Sequence, residues 1–140
     1  MKILIIYSKT NSLQKIVQGI KSGIESNGND EVDTLNTEIN NNKSISFHPY
    51  DLVMIGSYTK GFIRGKSSED LLPLLKKCKG TLGQKTIAFI TPRFFATNKA
   101  LKDLMNKLEE KLGCMIIDFK KIKNKKEGIE LGRNLKNYNI

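Results

Sequence analysis

The stretches Lys2–Tyr7 (KILIIY), Asp51–Ser57 (DLVMIGS) and Thr86–Thr91 (TIAFIT) are short and apolar at consecutive positions instead of alternating ones. A strand with water on one face alternates polar and apolar residues. A run that is apolar at both parities must be covered on both faces, the condition of a central strand in a parallel sheet. Parallel strands need long crossovers, and the intervening sequence supplies them. Leu13, Ile16, Val17, Ile20 and Ile24 recur at helical spacing towards Asn27-Gly28. Leu101, Leu104, Met105, Leu108 and Leu112 form a second stripe that stops at Gly113. Leu71, Leu72, Leu74 and Leu75 mark a helix with Pro73 in its first turn, and Glu127–Leu135 marks a last one. Val32–Leu35, towards the sheet edge, and Met115–Phe119 add two strands, and Asn36–Ser46 is a polar connection. This alternation predicts an α/β fold in one domain over residues 1–140: a doubly wound five-stranded parallel sheet of order 2-1-3-4-5 with helices on both faces.

In such a sheet, ligands bind outside the carboxyl ends of the strands, beside the switch point between the first and third. Three loops lie there: Ser8–Leu13, Ser57–Lys66 and Pro92–Asn98. The first, in YSKTNSLQK, carries the hydroxyls of Ser8, Thr10 and Ser12 just before a helix. The free N–H groups of a helix start carry partial positive charge, and with these hydroxyls and nearby Lys9 and Lys15 they could cradle an anion. The same residues also suit a plain helix start capped by Asn11 or Ser12. The loop matches neither GxxxxGK[ST] nor GxGxxG. His48, the single histidine, has no carboxylate or serine arranged around it as a triad, and the first strand ends in Tyr7-Ser8, not in paired aspartates. Without a nucleophile-base pair or a metal cluster, chemistry here would have to come from a cofactor.

With 24 Lys and Arg against 14 Asp and Glu, the net charge is +10. The lysines are densest in FKKIKNKK, Phe119–Lys126, with more at Lys76, Lys77 and Lys79. A charge of this sign suits an acidic partner protein or an anionic small molecule. Nucleic acid is disfavoured, because aromatic residues are not interleaved with the lysines and arginines are few. Cys78 and Cys114 stand alone in separate segments, as reduced thiols of a cytoplasmic protein do. No apolar stretch approaches the roughly 20 residues of a membrane span, and Lys2–Ile6 is too short for a signal peptide, so the expectation is a cytoplasmic protein with no membrane insertion.

The segment LIIYSKTNSLQKIVQGI resembles the strand, phosphate-binding turn and helix of flavodoxins, whose turn reads approximately S/T-x-T-G-x-T. Ser8 and Thr10 match its first two hydroxyl positions. Asn11 stands in place of glycine, Ser12 where asparagine is common, and Leu13 in place of the last threonine, where it offers only an N–H. YDLVMIGSYTKG, KTIAFITPRFF and KLGCMIIDF resemble, in order, the third, fourth and fifth strands with their loops. The resemblance covers nearly the whole chain at the length of a short-chain flavodoxin. It implies a flavodoxin-like fold, FMN as cofactor, and electron transfer to a redox partner. Its implied binding residues are Ser8, Lys9, Thr10, Asn11, Ser12, Leu13, Ser57, Tyr58, Thr59, Gly61, Phe62, Arg93, Phe94 and Phe95, with the aromatic side chains facing the flat ring. Flavodoxins are generally acidic around the flavin. Here Lys60, Arg64, Lys66 and Arg93 border the ring with no acid before Glu69, which would favour an anionic reduced flavin and an acidic redox partner. Two other readings stay open: an FMN-dependent oxidoreductase, and a flavodoxin-fold binding module that has lost FMN.

Overall fold

The computed structural model describes residues 1–38, 44–59, 67, 69–93 and 96–140. In chain order the elements are β1 (Lys2–Tyr7), α1 (Asn11–Glu25), β2 (Glu31–Asn36), β3 (Ile45–Ser46), β4 (Leu52–Tyr58), α2 (Leu71–Leu75), β5 (Cys78–Lys79), β6 (Lys85–Thr91), α3 (Thr97–Asn106), β7 (Met115–Lys121) and α4 (Lys125–Asn134). The five longer strands form one parallel sheet of order β2-β1-β4-β6-β7, which is 2-1-3-4-5 in terms of those strands.

The consecutive apolar runs occupy the middle of this sheet, as their composition requires. Ile3, Ile5 and Tyr7 of β1 face one side with Leu52, Met54, Ile87 and Phe89. Leu4, Ile6, Val53, Ile55, Ala88 and Ile90 face the other. The first side is covered by α1 and α4 through Leu13, Ile16, Ile20, Ile24 and Leu131. The second is covered by α2 and α3 through Leu71, Leu75, Ala100, Leu101 and Leu104. The strand β2 is half-exposed along its length, as its expected place at the sheet edge requires.

Helices α1 and α4 meet backbone to backbone. A Cβ on Gly19 would lie 2.4 Å from the Lys125 carbonyl oxygen, and one on Gly23 2.3 Å from that of Ile129. From the opposite side, a Cβ on Gly128 would lie 2.6 Å from the Ile16 oxygen and one on Gly132 2.2 Å from the Ile20 oxygen. Four glycines at two spacings of four therefore let α1, the first crossover helix, and α4, the helix after β7, touch.

Three local features escaped the sequence pattern. The polar stretch before Phe47 contains β3, which pairs in parallel with β5 as a two-stranded ribbon, Ile45 opposite Cys78 and Ser46 opposite Lys79. The stripe that ends at Gly113 is α-helical only to Asn106, and Lys107–Lys111 form a π-helical turn. The β6–β7 register steps from Thr86↔Ile116 to Ile87↔Asp118, so Ile117 is an inserted bulge residue. Cys78 and Cys114 are free, and burial pushes the Cys78 thiol up to about 12. Among the described residues no helix is long and apolar enough to cross a membrane.

Candidate functional site

Because β1, β4 and β6 are adjacent and parallel, their carboxyl ends deliver three connections to one side of the sheet. A cleft of about 620 Å³ opens there. Thr10 and Ser12 bound it from the start of α1, Tyr58 and Thr59 from the end of β4, and Thr91, Pro92 and Arg93 from the end of β6. Lys123, between β7 and α4, completes the rim. Its volume lies inside the ~300–1,000 Å³ range of small-molecule sites. Thr59 is buried, and its hydroxyl donates to the Thr91 carbonyl at 3.0 Å, tying the β4 and β6 ends together. The Thr97 hydroxyl accepts from the Arg93 N–H at 2.8 Å and donates to the Arg93 carbonyl at 2.7 Å. These two bonds hold the Arg93 backbone while its side chain stays exposed.

The Ser8–Leu13 turn divides its residues between different tasks. Thr10, and not Asn11 or Ser12, caps α1: its backbone is extended and its hydroxyl accepts the Leu13 N–H at 3.1 Å. Asn11 and Ser12 are the first, exposed residues of the helix, whose first turn contains no acid. The Leu13 side chain is fully buried in the core beneath the turn. Lys9 points elsewhere, into an ion pair with Glu38.

Ser8 is buried outside the cleft walls, and its hydroxyl donates to Asp70 Oδ1 at 2.8 Å. The other carboxylate oxygen of Asp70 accepts from the Thr37 hydroxyl at 2.7 Å, and Thr37 Oγ1 in turn accepts the Lys9 N–H at 3.0 Å. The chain thus returns to place two carboxylates, Asp70 and Glu38, against the Ser8–Leu13 turn, outside the loops expected to border the ring. Sequence reading missed Asp70 because an acid just before a helix ordinarily serves as its cap. Asp70 occupies that position before α2 without capping it.

Ser57 is buried and donates to the Tyr58 carbonyl at 3.2 Å. Gly61, Phe62, Phe94 and Phe95, with the rim residues Lys60, Arg64 and Lys66, lie outside the described residues. Nearer α2, buried Ser67 is fastened to α3. Its N–H and hydroxyl both donate to Asp103 Oδ2, at 3.0 and 2.7 Å, and Lys107 Nζ donates to the Ser67 hydroxyl at 2.9 Å and pairs with Asp103 at 2.8 Å. Burial opposes ionisation of Asp103, but the hydrogen bonds from Lys107 and Ser67 outweigh it and hold the carboxyl below its ordinary value.

A second cleft, about 390 Å³, lies between β7 and α4, with Lys120, Lys121 and Lys123 facing Glu127 and Glu130 over a floor of Ile122 and Leu131. Beside it, Asp118 pairs with Lys120 and accepts from the Tyr138 hydroxyl, whose pKa is pushed up to about 12 by burial and by this bond. The charges of this second cleft are mixed, and it lies at the β7 edge of the sheet, sharing Lys123 with the switch-point cleft.

Five parallel strands in this order, with the cleft at the switch point, define a flavodoxin-like α/β protein. Solved structures agree. The chain is similar to oxidised Flavodoxin 1 from Bacillus cereus, at 15% identity over 99% of each chain and a TM-score of 0.74. It is also similar to the two-electron reduced flavodoxin of Megasphaera elsdenii, at 19% identity over 95% of this chain and 96% of that one, with a TM-score of 0.65. The FMN-bound flavodoxin of Fusobacterium nucleatum matches over 97% of each chain at 13% identity and a TM-score of 0.63. No protein-family model matches the sequence, and no curated protein sequence does.

Proposed function

We propose that residues 1–140 form a single FMN-binding electron carrier of the flavodoxin type, acting in the cytoplasm. The observation that carries this reading is the switch-point cleft, which joins a helix whose own first turn contains no acid to a tyrosine wall and a cationic rim. FMN fits these residues. The N–H groups of Asn11 and Ser12 and the hydroxyls of Thr10 and Ser12 suit a phosphate. Tyr58 offers an aromatic face for the ring, and the lower part of the cleft is closed by the Thr59–Thr91 bond. When bound, FMN supplies one- and two-electron storage. The protein's part is to hold the ring and set the surrounding charge. Arg93 and Lys123 place two cations on the rim, which favours a negatively charged reduced ring.

The partner in this reading is an acidic redox protein or an anionic small molecule. The exposed lysines Lys120, Lys121, Lys123, Lys125 and Lys126 run away from the cleft along the end of β7 and the start of α4, where they can steer such a partner. Association should then slow as ionic strength rises, and a salt-independent rate would refute the steering. Asp70 and Glu38 at the turn favour the contrary reading of a fold that has lost FMN, because they oppose a phosphate there. Titrating the purified protein into FMN and following flavin fluorescence separates the two readings. Quenching that saturates at one FMN per chain supports the carrier, and no quenching removes it.

A further inference from the structure

We infer that Asp70 is a specificity-determining residue of the turn: its carboxylate lowers the chain's preference for a phosphorylated flavin over riboflavin. This rests on the flavin reading above and asks something that reading leaves open, namely which part of the flavin the site selects.

The carboxylate takes a hydroxyl that an anionic ligand at the turn would also draw on. Both of its oxygens are engaged, Oδ1 by the Ser8 hydroxyl at 2.8 Å and Oδ2 by the Thr37 hydroxyl at 2.7 Å. A hydroxyl has a single proton to donate, so Ser8 cannot serve Asp70 and a phosphate oxygen together. Asp70 is tied to the turn twice, directly by the Ser8 hydroxyl and through Thr37, which accepts the Lys9 N–H, and these residues lead into Thr10, the cap of α1, so a phosphate at the helix start shares the turn with this carboxylate. Asp70 is exposed, so the repulsion between these like charges should be strongest at low ionic strength. The one lysine in the turn offers no relief, because Lys9 is paired with Glu38. Asp70 also makes no hydrogen bond to the start of α2, so capping does not explain its position. The ribityl chain and ring carry no such charge, and Asp70 should leave their binding nearly unaffected.

The test compares FMN and riboflavin by fluorescence quenching with the wild-type protein and Asp70→Asn, which keeps an oxygen acceptor for one hydroxyl and removes the charge. The expected result is an FMN affinity raised about tenfold with riboflavin unchanged. A double-mutant cycle with Ser8→Ala supplies a second readout. Ser8→Ala should change FMN affinity little in the wild-type background, where the hydroxyl serves Asp70, and weaken it several-fold in Asp70→Asn. If Asp70→Asn leaves the FMN-to-riboflavin ratio unchanged or lowers it while both flavins still bind, Asp70 is a support of the turn. The specificity assignment then fails while the carrier reading stands. If neither flavin binds either protein, the carrier reading fails and takes this one with it.

Discussion

Replacing Gly132 by alanine sets two established effects against each other, and the sign of the result decides between them. Alanine is the better helix former by about 1 kcal/mol, so α4 alone should gain from the change. Against this, the new Cβ would lie 2.2 Å from the Ile20 carbonyl oxygen, 2.9 Å from the Ile24 nitrogen and 3.0 Å from the Gly23 Cα, all of them backbone atoms of α1 that no rotamer change can move. Restoring an ordinary contact of 3.4 Å to the nearest of these requires the helices to part by about 1.2 Å. Parting them loosens Ile16, Ile20, Ile24 and Leu131, which are buried against the same sheet face. Overpacking of this kind costs ~1–3 kcal/mol, and the backbone contact puts this site at the upper end, so after the helix gain the net loss should be roughly 1–2 kcal/mol, or a fall in melting temperature of about 3–8 °C. Urea unfolding followed by circular dichroism measures it. Gly23→Ala should cost a similar amount, and the double variant less than the sum, because the first displacement makes room for the second. Equal or greater stability for Gly132→Ala would refute the close contact and leave helix propensity in charge.

The Asp103 carboxyl is held below its ordinary value of 3.8, so its contribution to stability is present above that pH and lost as pH falls through the lower folded value. Asp103→Asn should therefore cost about 1–2 kcal/mol at pH 7, with a gap from wild type that closes below about pH 4. A gap in urea midpoints that widens in acid would show the assignment to be wrong. Arg93→Glu reverses an exposed charge on the cleft rim. With each charge worth ~1 kcal/mol or a little less at about 8 Å, the potential for forming the fully reduced flavin should fall by roughly 30–80 mV at low ionic strength. A spectroelectrochemical titration showing no change, or a rise, would place Arg93 away from the flavin.

The central strands could be read from sequence because burial on both faces leaves a one-dimensional mark: consecutive apolar residues in β1, β4 and β6. The α1 and α3 stripes are equally local. What could not be read depends on chain closure. Asp70 lies 62 positions from Ser8, and nothing in its neighbourhood distinguishes it from a helix cap. The ribbon of β3 and β5 has two residues per strand, too few for any periodicity to show. Within the turn, the hydroxyl spacing was visible but the orientations were not. Thr10 and Ser12 turn to the cleft, while Ser8 turns to a carboxylate. Lys123 stood out only as one lysine among many, and its place on the rim follows from where β7 ends. The Gly19, Gly23, Gly128 and Gly132 pattern carries its meaning only as a pair of helices, since each half alone reads as a weakened helix.

The α1–α4 contact also sets an order of events during synthesis. The whole of α1 exists once Glu25 has been added, but the helix that covers its glycine face begins only at Lys125. At about 5–20 residues per second, the ribosome needs on the order of 5–20 s to make what lies between. Throughout that interval the Gly19–Gly23 groove has no native cover. A nascent chain paused before α4 leaves this face of the sheet half-lined, so docking of α4 is the step that completes it.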